Sequence, residues 1–160
     1  MRRETPRMYA DTSVFGGVID DEFSRPSVSF FDLVRRGDFH LVVSDVIRRE
    51  LIGAPEAVTS VWREVLPLAE VVDITEDALG LQRAYLDAGI LTTRSAEDAL
   101  HVALATVHEC KVIVSWNFRH IVHYEKIEKY NAVNVLEGFE TLAIHSPLEV
   151  TGYGNQDEEI

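Results

Sequence analysis

Short apolar runs alternate with longer stretches of helical period along the chain. Met8-Tyr9-Ala10 reads as a first strand closed by Asp11, Phe39–Val43 as a second, Lys111–Ser115 as a buried strand and Thr141–His145 as a last one. The stretches Ser27–Arg36, Ser44–Leu51, Pro55–Leu66, Thr75–Ala88 and Ser95–Glu109 carry helical spacing. Ser27 after Pro26, Ser44, Thr75 and Ser95 stand where caps are expected, and Gly37 and Gly89 stand where helices stop. Strands separated by helices predict an α/β fold around a mostly parallel central sheet. In such sheets, binding sites form at the carboxyl ends of the strands.

The same periodicity shows which acids point inward. Advancing about 100° per residue from Val46, Ile47 falls at about 100°, Leu51 at about 140° and Glu50 at about 40°, inside the apolar arc. Arg48 and Arg49 fall on the other side, so Glu50 is predicted to face the protein. An inward carboxylate must be paired, hydrogen-bonded or bound to a metal. On the helix from Ser95, the apolar face is built from Ala99, Ala103, Thr106, Val107 and Cys110. Asp98 lies at its edge beside Val102 and Ala105, in the first turn where the helix dipole favours an anion. Glu97, His101 and His108 are predicted to turn outward. Asp11 closes the first strand and precedes Thr12-Ser13 and Gly16-Gly17, the glycines reading as a tight turn; Ser115, Trp116 and Asn117 close the buried strand on the same edge. Asp11 and Asp98 each fit a capping role as well as a site role.

Composition bounds the remaining choices. A chain of 160 residues with 46% hydrophobic and 26% charged residues has the make-up of one globular domain. It is expected to span 1–160 with a core over about 8–150, a loose Met1–Pro6 and an acidic tail Gly152–Ile160. The single Cys110 excludes an internal disulfide and a cysteine-rich metal module. His101, His108, His120 and His123 fit no familiar zinc spacing. Without an apolar run of membrane-span length or the apolar stretch of a signal peptide, the expected compartment is the cytoplasm, with no membrane association. Neither phosphate-cradling glycine motif is present. A haloacid-dehalogenase-like phosphatase would need a second Asp where Ser13 stands. Trp62 and Trp116 offer rings on which bases can stack, but their apolar neighbours favour burial in the core or at a subunit contact. The net charge of −12 argues against broad, unassisted binding to nucleic acid.

Taken together, Asp11-Thr12-Ser13, Ser44 with Glu50-Leu51, Asp98 followed by His101-Val102-Ala103, and Ser115-Trp116-Asn117-Phe118 resemble the PIN domain, whose members include toxins of toxin–antitoxin pairs. The resemblance runs from about Met8 to Val150. It implies a three-layer α/β/α sandwich and a ribonuclease dependent on Mg2+ or Mn2+. It further implies that Asp11, Glu50 and Asp98 are the catalytic, metal-coordinating acids, and that Ser13 and Ser115 are supporting polar positions. The fourth acidic position falls on Asn117, where PIN domains commonly carry Asp; this departure weakens the second metal position. Implied partners are an RNA substrate, a small antitoxin protein and a second copy in a homodimer. The competing reading is a non-catalytic PIN-like interaction module, against which stands the retention of Asp11, Glu50 and Asp98 together. On the catalytic reading, the acidic surface rejects nonspecific RNA and suits a basic segment of a partner, while phosphate recognition falls to the metal and to Arg94, Arg119 and Lys126.

Overall fold

The structure, a computed structural model, describes residues 5–152; the ends expected to be loose lie largely outside them. The strands are β1 (Arg7–Ala10), β2 (His40–Ser44), β3 (Glu70–Val72), β4 (Val112–Val114) and β5 (Ala143–His145). They form one parallel sheet in the order β3-β2-β1-β4-β5. Its register sets Tyr9 beside Val42 and Ile113, and Ile113 beside Ile144. Strands buried on both faces must be apolar throughout, which explains Leu41-Val42-Val43 and Val112-Ile113-Val114.

The helices are α1 (Thr12–Gly17), α2 (Ser24–Arg35), α3 (Asp45–Glu50), α4 (Glu56–Val65), α5 (Glu76–Asp87), α6 (Ala96–Val107), α7 (Tyr124–Leu136) and α8 (Pro147–Thr151). α1, α2, α4 and α8 pack together in one layer, and α5, α6 and α7 in the other, giving the expected α/β/α sandwich. Aromatic rings fill the first layer: Phe15 meets Phe31 at 4.8 Å and Trp62 at 5.4 Å. Burying a side chain of this size contributes roughly 1.5–3 kcal/mol. In the second layer, Tyr85 donates to Asn134 Oδ1, and Asn134 Nδ2 donates to Thr106 Oγ1 at 3.3 Å. This buried chain of donors and acceptors joins α5, α6 and α7.

Four local expectations are corrected. Pro26 does not precede a helix: it lies in the first turn of α2, where its missing N–H costs nothing, so Ser27 is inside the helix. Ser44 and Ser95 precede their helices but make no side-chain cap. Gly16-Gly17 is not a tight turn but the end of α1. β3, α1, α7 and α8 are elements the periodicity did not mark out.

One end of the sheet carries a partly buried charge cluster. Arg7 donates to Glu70 Oε1 at 2.5 Å, to Glu70 Oε2 at 3.1 Å and to the carbonyl of His108 at 3.0 Å. The Arg7 guanidinium holds the Glu70 carboxyl down from its ordinary 4.5 to about 2. The cluster therefore contributes stability above about pH 4.5, which is lost as the pH falls towards about 2. Wild type should have a higher urea midpoint than Glu70→Gln at pH 6, and the gap should close by about pH 2.

Candidate active site

Three side chains sit where the central strands end, on one rim of the sheet. Asp11 follows β1, and its N–H donates to the carbonyl of Val114 at 3.1 Å. The residue is 3% exposed, and its carboxylate caps α1 by accepting from the N–H of Ser13 at 3.1 Å. Ser13 Oγ donates to Oδ1 at 2.5 Å, and Ser115 Oγ donates to Oδ2 at 2.6 Å. Each hydroxyl accepts in turn from the chain beyond β4: Ser13 Oγ from Trp116 N at 2.8 Å, Ser115 Oγ from Asn117 N at 2.9 Å. The two serines thus lock an acid near the start of the chain to a loop more than a hundred residues later.

Glu50 lies at the end of α3 with its side chain 32% exposed, so it stands at the rim rather than inside the protein. Its Oε1 accepts from Thr12 Oγ1 at 2.8 Å and from His101 Nε2 at 2.6 Å. Here the sequence expectation fails: His101 is 2% exposed and faces the site, not solvent. α6 is covered on two sides, by α5 and by the sheet, so residues 99–106 are all buried and a one-faced reading of its periodicity misplaces His101. His101 Nδ1 meets the hydroxyl of Tyr9 at 2.8 Å, which meets Ser44 Oγ at 2.8 Å. Its spacing of three from Asp98, which puts both on one side of α6, was the available signal.

Asp98 occupies the first turn of α6, half-buried. Asn117 Oδ1 caps the next turn by accepting from His120 N at 2.9 Å, and His120 Nε2 meets Ser95 Oγ at 3.3 Å, tying the loop after β4 to the start of α6. Lys126 is already engaged with the carbonyl of Ile90 at 2.8 Å, while Arg94 and Arg119 are exposed. Trp116 is core, as expected, and its Nε1 donates to Ser27 Oγ at 2.8 Å.

The acids feel one another. Burial pushes the Asp11 carboxyl upward; His101, Ser115 and Ser13 oppose this, and Asp98 adds to it. Burial likewise raises Asp98 against His120, His101 and Asn117, with Glu50 adding to the rise. Burial opposes the charge on Glu50 too, but the hydrogen bond and charge of His101 outweigh it and hold Glu50 below its ordinary value. Among the described residues, no three or more His, Cys, Asp or Glu side chains stand close enough together to hold a metal ion. The acids line a rim, with Asp11 and Glu50 gripped by protein donors. Their chemistry nonetheless fits a hard divalent cation, which prefers carboxylate oxygen and would relieve the repulsion that Asp98 feels from Glu50 and Asp11 from Asp98.

Solved structures share this architecture. VapBC2 from Rickettsia felis, bound to a DNA fragment from its promoter, matches with a TM-score of 0.57 and 13% identity, over 88% of this chain and 98% of that one. FitAB bound to the IR36 DNA fragment matches with a TM-score of 0.57 and 13% identity, over 88% and 94%. The fold is PIN-like. FitAcB from Neisseria gonorrhoeae matches at 0.56 and 16%, over 88% and 97%. No family model matches the sequence, and no curated protein does. The PIN-like fold thus stands on geometry, and it sets Asp11 at the end of the central strand. No helix among the described residues is long and apolar enough to cross a membrane.

Proposed function

We propose that this chain is a ribonuclease that cuts RNA phosphodiester bonds with Mg2+ or Mn2+, and that it is the toxin of a toxin–antitoxin pair. The observation that carries the reading is Asp11: a nearly buried carboxylate, gripped by three donors at the end of the central strand, electrostatically coupled to Asp98 on the same rim. Burying a charge at such cost is explained by a ligand that needs it. When bound, the divalent ion supplies positive charge to the phosphoryl group and a nucleophilic water. The chain's own part is to hold the ligands. Ser13 and Ser115 orient Asp11, Thr12 and His101 orient Glu50, and Asn117 braces the loop beside Asp98. With Asn117 in place of a fourth acid, the site offers three carboxylates.

The named assemblies VapBC2 and FitAB support a protein partner, and a basic segment of a small antitoxin would complement the net charge of −12. A homodimer, which the resemblance to PIN domains implies, belongs to the same proposal. Cytoplasmic action on RNA completes the reading. Purified protein should cut RNA with Mn2+ and lose at least about 100-fold in rate in excess EDTA, with recovery when Mn2+ is restored. A rate indifferent to EDTA would overturn the metal-dependent mechanism, and RNA left intact under every metal condition would favour the non-catalytic interaction module.

A further inference from the structure

Only one oxygen of Glu50 is used by the protein. Oε1 takes both donors, Thr12 Oγ1 at 2.8 Å and His101 Nε2 at 2.6 Å, while Oε2 receives no hydrogen bond among the described residues. A carboxylate only accepts, so His101 Nε2 carries the proton it donates. The ring is held from behind: Nδ1 meets Tyr9 OH at 2.8 Å, Tyr9 OH meets Ser44 Oγ at 2.8 Å, and all three side chains are buried. Tyr9 and Ser44 belong to β1 and β2, which are hydrogen-bonded neighbours in the sheet, so the ring is anchored to two paired strands. Thr12, the first residue of α1, fixes the same oxygen from the other side.

We propose that Ser44, Tyr9 and His101 form a buried positioning chain that, with Thr12, pins Oε1 of Glu50 and leaves Oε2 presented to a divalent cation. The inference rests on the metal-dependent reading above and adds positioning residues to it. A long, half-exposed glutamate would otherwise sample several rotamers and lose that entropy on binding the ion. Buried hydrogen bonds that orient a metal ligand are commonly responsible for large factors in metal affinity.

The test is Mn2+ binding by the full chain without RNA, read from the paramagnetic resonance signal of free Mn2+. His101→Leu should weaken binding about tenfold, and His101→Gln, which keeps an N–H near the Nε2 position, should return within about threefold of wild type. Tyr9→Phe, which removes one oxygen and leaves the packing, should fall between them. Circular dichroism and the urea midpoint of each variant separate loss of fold from loss of positioning, because a purely structural role would lower the midpoint while leaving the affinity of the folded fraction unchanged. A folded His101→Leu with wild-type affinity overturns the proposal. So does tighter binding in both His101 variants, which would make the imidazole a competing charge. Should His101→Leu not fold, unchanged affinity in Tyr9→Phe overturns it equally. If wild type binds Mn2+ and cuts RNA while the variants bind as well as it does, only the positioning chain falls. If wild type binds no Mn2+ at millimolar concentration, the metal-dependent reading falls and the positioning chain with it.

Discussion

Replacing Asp11 by Asn is expected to lower RNA cleavage by at least about 100-fold while leaving the metal-free protein as stable as wild type or more so. The two halves of this result have one cause. Burial raises the Asp11 carboxyl above its ordinary value, with Asp98 adding repulsion, so at neutral pH the ionised acid costs the folded state free energy that the unfolded chain does not lose. Asn removes that charge and keeps an oxygen for the Ser13 hydroxyl and N–H, and the rotating hydroxyl of Ser115 can accept from the new amide. Thermal unfolding in EDTA should therefore place Asp11→Asn at or above wild type. On the metal-dependent reading, adding Mn2+ should raise the wild-type midpoint and leave the variant's nearly unchanged, because the variant lacks the Asp11 carboxylate proposed as a ligand. Undiminished cleavage by the folded variant, or a large fall in its stability, would contradict the roles assigned to this residue.

The second large effect is expected at Gly17. A Cβ there would run into Ser27 Oγ and Trp116 Nε1, which are themselves hydrogen-bonded at 2.8 Å. Both are buried and neither is the free end of a flexible chain, so Gly17→Val should cost about 1–3 kcal/mol of stability, read from the urea midpoint. Cleavage should fall as well, since displacing Trp116 pulls on the N–H that fixes Ser13 Oγ and, through it, Asp11. Neighbouring Gly16 meets nothing within 4 Å, and Gly16→Ala should be neutral or stabilising by about 0.5–1 kcal/mol. Equal behaviour of the two variants would remove the close approach of α1 to Trp116 as the reason for the glycine.

Much of this architecture was legible from spacing, and the exceptions have physical reasons. The central strands announce themselves because both faces are buried, leaving no polar position to confuse the pattern. β3 is a three-residue edge strand with Glu70 drawn into an ion pair and Val71 exposed, so it carries no alternation to read. α7 buries only Tyr130 and Asn134, and a helix anchored partly by a hydrogen-bonded asparagine has no apolar stripe. At the candidate site, Asp11, Asp98 and Ser115 stood out because strand ends and helix starts are positions with chemical meaning, whereas the supporting role of Ser13 came only with the resemblance. His101 was missed because α6 is enclosed on two sides, and amphipathic reasoning assumes that one side of a helix meets water. Tyr9 was absorbed into a strand as an apolar body, its hydroxyl invisible to a hydrophobicity pattern.

The bond between Ser115 and Asp11 spans 104 residues, and β1 lies between β2 and β4 in the sheet. A ribosome therefore makes the acid about a hundred residues before the group that completes its environment. Until β4 emerges and docks, the growing polypeptide carries Asp11 with only its local partners, and a product truncated before Ser115 lacks both that hydroxyl and the N–H groups of Trp116 and Asn117. Such long-range pairing is slow to form. On the proposed ribonuclease reading, this order of synthesis keeps the site around Asp11 incomplete until β4 and the residues that follow it have left the ribosome.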